Sequence, residues 1–234
     1  PIILQAGKRE GVVMTYKLSP RRVNLFIECE RCFWLHINEG VKRPSGPFPS
    51  LPGGMDDIIK NHFDKFREKG RQPPELRESE VDATPINDTE LLEDAREWRN
   101  QPKYHNKDND VLLRGGVDDL LRTRDNSIIV LDYKTRGYPP KDEVPDYYAR
   151  QVNLYNLILR KNGFTTADHG LLLYYYPDQV QETGEVLFKN ELKQVPVDIE
   201  AAQQLLRDAA DTLNATIPDH NPDCDFCDWT PQSH

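Results

Sequence analysis

The stretch Gly115–Arg136, GGVDDLLRTRDNSIIVLDYKTR, contains two apolar runs separated by a short polar segment rich in turn-forming residues. This pattern is typical of a β-hairpin. It predicts antiparallel strands over residues 110–123 and 128–135, joined by a turn at 124–127. The hairpin is the most clearly signalled structure in the chain, and its strands carry several charged residues.

Three ionisable groups mark the open end of the predicted hairpin. If the turn centres on Asp125, Asp118 and Asp132 lie opposite each other with Cβ atoms ~4.5–5.5 Å apart. Period-two alternation places Lys134 on the same face and Asp119 on the other face. Two opposed carboxylates repel unless a cation separates them, and Mg²⁺ is commonly held by one or two carboxylates. The pattern therefore fits either a divalent metal site or a solvated strand face with an ordinary salt bridge.

Length and composition suit a single globular domain. The chain has 234 residues, 37% of them hydrophobic, and a formal net charge of −9. We expect an extension over residues 1–17 and one domain over 18–234. No apolar run approaches the ~20 residues of a membrane span, and no signal-peptide core is evident, so we expect a cytoplasmic protein without a membrane partner. The negative charge argues mildly against a protein that coats nucleic acid.

The remaining pattern predicts an α/β fold with a central mixed β-sheet flanked by helices. Residues 71–87 are polar and contain prolines, and we expect an exposed loop there. Hydrophobic periodicity, caps and turn signals predict the other elements. The expected helices are 20–37, 55–70, 89–100, 146–163 and 198–215, and the expected further strands are 169–177 and 184–197.

The four cysteines of the chain form two C-x-x-C pairs near its two ends, Cys29 with Cys32 and Cys224 with Cys227. Two such pairs can complete one tetrahedral metal site, and this spacing alone favours zinc. Disulfides are the alternative, which an intracellular location disfavours. A shared site would join the first helix to the C-terminal segment.

The sequence around the hairpin resembles that of a known nuclease family. GGVDDLL followed by VLDYKT is similar to the G-x-x-D … D-x-K core of the PD-(D/E)XK superfamily, and most of all to its RecB-like branch, which includes the iron–sulfur CRISPR-adaptation exonucleases. Further features match in order: His62 upstream, Gln151 and Tyr155 in QVNLY, and Cys29 with a C-terminal cysteine pair. The resemblance spans about residues 18–228 and implies a restriction-endonuclease-like core.

This resemblance implies metal-dependent hydrolysis of phosphodiester bonds. Asp118, Asp132, His62 and the backbone carbonyl of Tyr133 would hold one or two Mg²⁺ or Mn²⁺ ions. Lys134 would position or deprotonate the attacking water. Taken alone, an inward-facing histidine on an apolar helix stripe is more often an ordinary core residue.

The expected partner is DNA, cut as an exonuclease acts on single-stranded or end-containing substrates. The resemblance assigns Gln151 and Tyr155, neighbours at i and i+4, to the vicinity of the lysine or the DNA backbone, although they could also be a buried polar pair. Arg136 could contact phosphates beside nearby tyrosines. The alternative from another class is a non-catalytic module that binds nucleic acid or acts as a scaffold.

For the cysteines the resemblance favours an iron–sulfur cluster, with zinc as the alternative. One departure from the family pattern stands out. The relatives usually take one cysteine from the N-terminal helix and three from the C-terminal segment, whereas this chain has two and two. In either case we expect a structural role for the site.

Overall fold

The structure is a computed structural model that describes residues 15–44, 46, 50–97 and 103–227. Residues 1–14 of the predicted extension, 98–100 of a predicted helix and 228–234 of the predicted domain lie outside these ranges. The strands are β1 (Tyr16–Leu18), β2 (Ala83–Pro85), β3 (Lys103–Asn106), β4 (Val111–Arg114), β5 (Asp119–Thr123), β6 (Ile128–Thr135), β7 (His169–Val180) and β8 (Val186–Pro196). The helices are α1 (Pro20–Glu28), α2 (Glu30–Trp34), α3 (Ser50–Arg67), α4 (Pro74–Glu78), α5 (Thr89–Arg96), α6 (Asp146–Lys161) and α7 (Ile199–Asn214), with a π-helical turn at Leu35–Glu39 after α2.

The main sheet is mixed and five-stranded, in the order β2-β5-β6-β7-β8. Only β6 and β7 run parallel; the other neighbours in this sheet are antiparallel. One face of the sheet packs on α3 through Phe63 and Leu131, and the other packs on α6 and α7 through Leu120, Leu154 and Leu206. The predicted α/β fold, a central mixed sheet between helices, is confirmed.

The hairpin prediction is confirmed in its turn and register. Asp119 pairs with Leu131 and Arg122 with Ile128, so the turn centres on Asp125. A single strand over 110–123 is wrong, because β4 belongs to a separate three-stranded sheet with β1 and β3.

Gly115, which lies between β4 and β5, is glycine for a steric reason. A Cβ atom on Gly115 would lie 2.7 Å from Cε1 of Tyr155 and 3.0 Å from Cδ of Pro20. The backbone therefore passes against two neighbouring elements at this point, a close approach that only glycine permits.

The segment 71–87 is not an exposed loop. It contains α4 and β2, and Leu76 and Ile86 are buried. The few apolar residues of this polar segment pack into the core, while β2 pairs with the edge of β5. Local composition did not reveal this, because strand pairing is a contact between distant parts of the chain.

The predicted helix 20–37 is interrupted at Cys29, which has extended backbone angles (φ −167°, ψ 107°). Its Sγ accepts a hydrogen bond from the backbone N–H of Cys32 and caps α2. With the helix interrupted here, the Sγ atoms of Cys29 and Cys32 both lie beside the C-terminal cysteine pair. At the other boundary, β1 pairs with β4 from Tyr16 onward, so the sheet begins before residue 18. In the described ranges, no helix has the length and apolar composition needed to cross a membrane.

Candidate active site

Two carboxylates meet at the open end of the hairpin. Asp118 directly precedes β5 and continues the register opposite Asp132, and its Oδ2 accepts a hydrogen bond of 2.9 Å from the backbone N–H of Tyr133. The Asp132 side chain is only 3% exposed, whereas that of Asp118 is 23% exposed. The site thus has a buried inner carboxylate and an outer one that solvent reaches.

Lys134 lies on the same face of β6 as Asp132. Its ammonium group pairs with Oδ2 of Asp132 and donates to Oε1 of Gln151 at 3.3 Å. The amide of Gln151 in turn donates to the hydroxyl of Tyr155 at 2.7 Å. The predicted i, i+4 pair on α6 is therefore present, and it forms a chain of hydrogen bonds that ends on the lysine.

The electrostatics of the two carboxylates favour a cation between them. Burial raises the pKa of Asp132, Lys134 opposes this and the negative charge of Asp118 adds to it, so that the pKa is raised to about 7. Burial, with a smaller contribution from Asp132, also raises the pKa of Tyr155. A divalent ion would remove the repulsion, and carboxylate oxygens are the ligands that Mg²⁺ and Mn²⁺ prefer. The donor set fits the metals expected from the sequence.

A second lysine reaches this site from α3, and sequence reasoning missed it. The ammonium group of Lys60 lies 2.6 Å from Oδ2 of Asp56 and 3.4 Å from Oδ1 of Asp118. Burial lowers the pKa of Lys60, but the two carboxylates outweigh burial and raise it. Asp56 and Lys60 are at i and i+4, a spacing that could have marked them as one helix face.

His62 lies elsewhere on α3. Its Nε2 atom is 3.1 Å from Oε1 of Glu75, which also accepts a 2.8 Å hydrogen bond from the Tyr175 hydroxyl. Across the described residues, the four cysteines are the one group of three or more potential metal ligands whose donor atoms all lie within 4.8 Å of one another. Among the described residues, no such group joins Asp118 and Asp132 with either His62 or Asp56.

The neighbouring Asp119 points to the opposite face and is completely buried. Its carboxylate accepts hydrogen bonds from Arg67 at 2.7 Å, from Arg96 at 3.0 Å and from the Tyr133 hydroxyl at 2.8 Å. Arg96 also donates to the backbone carbonyl of Asp118 at 2.9 Å. This network, which sequence reasoning did not find, supports the backbone that carries the outer carboxylate of the site.

Cations and aromatic rings extend from Lys134 toward solvent. Its ammonium group lies 4.6 Å from the ring centre of Tyr148, which packs on Tyr147 at 4.1 Å. The guanidinium of Arg136 lies 4.6 Å from the ring centre of Tyr138. Tyr138 and Tyr147 are both exposed. The surface beside the carboxylates thus offers positive charge and open ring faces.

All four cysteines come together, as their spacing predicts. The Sγ atoms of Cys29 and Cys227 are 3.4 Å apart and those of Cys32 and Cys224 are 3.7 Å apart. Both distances are too long for disulfide bonds. Burial raises the pKa of Cys32 to about 12. For Cys224, the N–H of Phe226 and neighbouring side chains outweigh burial and lower the pKa to about 7. The site joins the start of α2 to the C-terminal segment.

Comparison with known proteins identifies the family to which the sequence belongs. No curated protein matches the chain. The solved structure described as SSO0001 aligns over 85% of this chain and 77% of its own, with 17% sequence identity and a TM-score of 0.36. The model of the PD-(D/E)XK nuclease superfamily matches residues 45–232. Because this match includes the hairpin and most of the sequence, the chain belongs to the PD-(D/E)XK nuclease superfamily.

Proposed function

We propose that this protein is a Mg²⁺- or Mn²⁺-dependent deoxyribonuclease, with Asp118, Asp132 and Lys134 at its catalytic centre. The observation that carries the proposal is the position of Lys134, whose ammonium group contacts both Asp132 and Gln151. A lysine held between a buried carboxylate and a fixed amide is oriented toward the carboxylates rather than free in solvent. Family membership supports the nuclease chemistry independently.

Each residue of the proposed catalytic centre would have a distinct role in phosphodiester hydrolysis. Asp118 and Asp132 would hold the divalent ion, with the backbone carbonyl of Tyr133 as a further oxygen ligand. When bound, the metal supplies an activated water and neutralises charge on the phosphate. Lys134 would orient the attacking water and stabilise the negative charge that develops on the phosphate oxygens. Gln151, itself fixed by Tyr155, holds the lysine in place.

The third side-chain ligand has two candidates. The resemblance implies His62, whose ring contacts Glu75. The contacts of Lys60 favour Asp56. The positively charged ammonium group of Lys60 lies between the carboxylates of Asp56 and Asp118, so this position attracts a cation. In this arrangement Lys60 would occupy a position that a metal ion could take over. Asp56 would have to move closer to Asp118 and Asp132 to complete a set of three carboxylate ligands.

Single-stranded or end-containing DNA is the proposed substrate, cut as an exonuclease would cut it. Exposed aromatic rings beside cations are the usual surface for stacking unpaired bases and binding their phosphates. Arg136 with Tyr138, together with Tyr147, provides this surface next to Lys134. Tyr155 is buried, which suits a role in positioning the lysine better than contact with DNA.

A second group of cations lies on and near α1, despite the overall negative charge. Burial lowers the pKa of His36, and the nearby positive charges of Arg22, Lys42 and Arg21 lower it further. Burial and the charge of Arg114 likewise lower the pKa of Arg22. Such concentrated positive charge attracts phosphates locally, so net charge does not argue against a nucleic-acid substrate.

The test is cleavage of end-labelled single- and double-stranded DNA with Mg²⁺, with Mn²⁺ and with EDTA. We expect metal-dependent degradation that falls at least about 100-fold in Lys134→Ala, because loss of one preorganised stabilising group costs about that much. Lys161→Ala is the matched control, since that lysine lies over Tyr104 instead.

Two results would count against the proposal. Equal activity of the folded Lys134→Ala variant would remove the assigned role of the lysine. Tight DNA binding without any cleavage by the metal-loaded protein would favour the non-catalytic binding module.

A further inference from the structure

The cysteine site has a geometry that distinguishes between metals. The four Sγ atoms are buried and all lie within 4.8 Å of one another. Between the chain ends, the Sγ atoms of Cys29 and Cys227 are 3.4 Å apart and those of Cys32 and Cys224 are 3.7 Å apart. Four sulfurs this close enclose a space of atomic size.

A single zinc ion fits that space. Zinc binds thiolate sulfur at about 2.3 Å in tetrahedral sites, which places the sulfurs about 3.8 Å apart. The separations of 3.4 and 3.7 Å are already close to this value. Only small side-chain adjustments would be needed to admit the ion.

An iron–sulfur cluster does not fit it. In a four-iron cluster each thiolate binds a different corner of a cube of iron and sulfide, so the sulfurs stand outside the cube and far apart. In a two-iron cluster they form two separated pairs. Neither arrangement suits four sulfurs that all lie within 4.8 Å, and the two-plus-two distribution of cysteines also departs from the iron–sulfur relatives.

The backbone around the sulfurs is built for one compact site. The N–H of Cys32 donates to Sγ of Cys29 at 3.4 Å, and the N–H of Cys227 donates to the carbonyl of Cys224 at 2.9 Å. Each C-x-x-C segment is therefore a tight turn that presents both of its sulfurs in one direction. This is the arrangement by which two short segments share one tetrahedral ion.

Arg43 places a positive charge beside the cysteine site. Its Nη2 donates to Sγ of Cys224 at 3.3 Å, and its guanidinium lies 4.6 Å from the ring centre of Phe226. Its Nη1 pairs with Glu28 at 2.6 Å, which fixes the orientation of the group. Four thiolates around Zn²⁺ leave two excess negative charges, and a guanidinium at the sulfur offsets part of that excess.

We propose that Cys29, Cys32, Cys224 and Cys227 bind one structural Zn²⁺ ion rather than an iron–sulfur cluster, with Arg43 as a positioning residue at the Cys224 thiolate. The site closes the N-terminal helical region onto the C-terminal segment. This proposal does not depend on the nuclease proposal, since a structural site of this kind leaves the chemistry at the hairpin unchanged.

The experiment is metal analysis of protein purified without oxygen from cells supplied with both iron and zinc. We expect about one zinc per chain, no acid-labile sulfide and no visible absorption, with X-ray absorption showing four sulfur neighbours at about 2.3 Å. Replacement by Co²⁺ should produce the visible bands of tetrahedral thiolate coordination. Iron with stoichiometric sulfide and a brown colour would overturn the proposal, as would metal-free protein that is fully folded.

The role of Arg43 is tested by zinc transfer to a chromogenic chelator. Arg43→Gln should release zinc about 10-fold more readily, since loss of a group that supports a metal ligand costs about 10–100-fold in affinity. Arg43→Lys should retain part of the effect. The control is Arg31→Gln, because Arg31 lies in the same region and donates instead to the backbone carbonyl of Pro218 at 2.8 Å. Equal zinc release by both glutamine variants would overturn the role of Arg43.

Discussion

Asp118 and Asp119 are adjacent in the chain but belong to different environments. Asp119 is fully buried, and two arginines and a tyrosine hydroxyl satisfy its carboxylate. Asp118 reaches solvent, faces a second carboxylate and is contacted by Lys60, which it shares with Asp56. On one face of the hairpin, the charge of Asp119 is thus neutralised by buried partners. On the other face, two carboxylates concentrate negative charge that a metal ion could bind. The comparison separates residues that hold the hairpin from residues suited to chemistry.

The sharpest test of this comparison exchanges each aspartate for asparagine. Asp119→Asn leaves Arg67 and Arg96 without their buried partner and should lower the free energy of unfolding by about 3–5 kcal/mol. Asp118→Asn should leave stability nearly unchanged while cleavage is lost. Urea unfolding and the nuclease assay measure the two effects. Equal loss of stability in both variants would show that the two faces do not differ as described.

The second prediction concerns the third ligand of the proposed metal site. Asp56→Asn should weaken Mn²⁺ binding about 10–100-fold, because it removes a carboxylate beside Asp118. His62→Ala should change Mn²⁺ affinity much less, since its ring contacts Glu75. Calorimetric titration with Mn²⁺ compares the two proteins. A larger loss of Mn²⁺ affinity in His62→Ala than in Asp56→Asn would show that His62, and not Asp56, is the third ligand.

The third prediction is a pH dependence of stability in the metal-free protein. The pKa of Asp132, raised to about 7 by burial, exceeds the unfolded value of about 3.9, so the folded state binds more protons between these limits. Stability from this group is therefore present at low pH and decreases as pH rises toward 7, by at most about 1.4 kcal/mol per pH unit.

Urea unfolding from pH 4 to 7.5 measures this slope. Asp132→Asn should remove the contribution, and Mn²⁺ should reduce it in the wild type, because the ion stabilises the charged carboxylate. An identical pH slope in wild type and Asp132→Asn would contradict the assignment.

Local pattern determined the parts of this protein that depend on neighbours in sequence. The alternation of apolar residues and the turn formers around Asp125 determined the hairpin register, and with it the opposition of Asp118 and Asp132. The i, i+4 spacing likewise placed Gln151 beside Tyr155. These features follow from the periods of strands and helices, which are properties of the chain itself.

Only the tertiary structure decided the contacts between distant segments. The orientation of α3 about its axis places Lys60 beside Asp118 and His62 beside Glu75. No pattern within the helix sequence specifies which distant residue each of its faces contacts. The same holds for the burial of Asp119 against Arg67. The C-x-x-C spacing indicated a shared site, but the proposal of zinc rests on distances between sulfurs nearly 200 residues apart in sequence. Those distances depend on how the two chain ends pack, which local propensity does not determine.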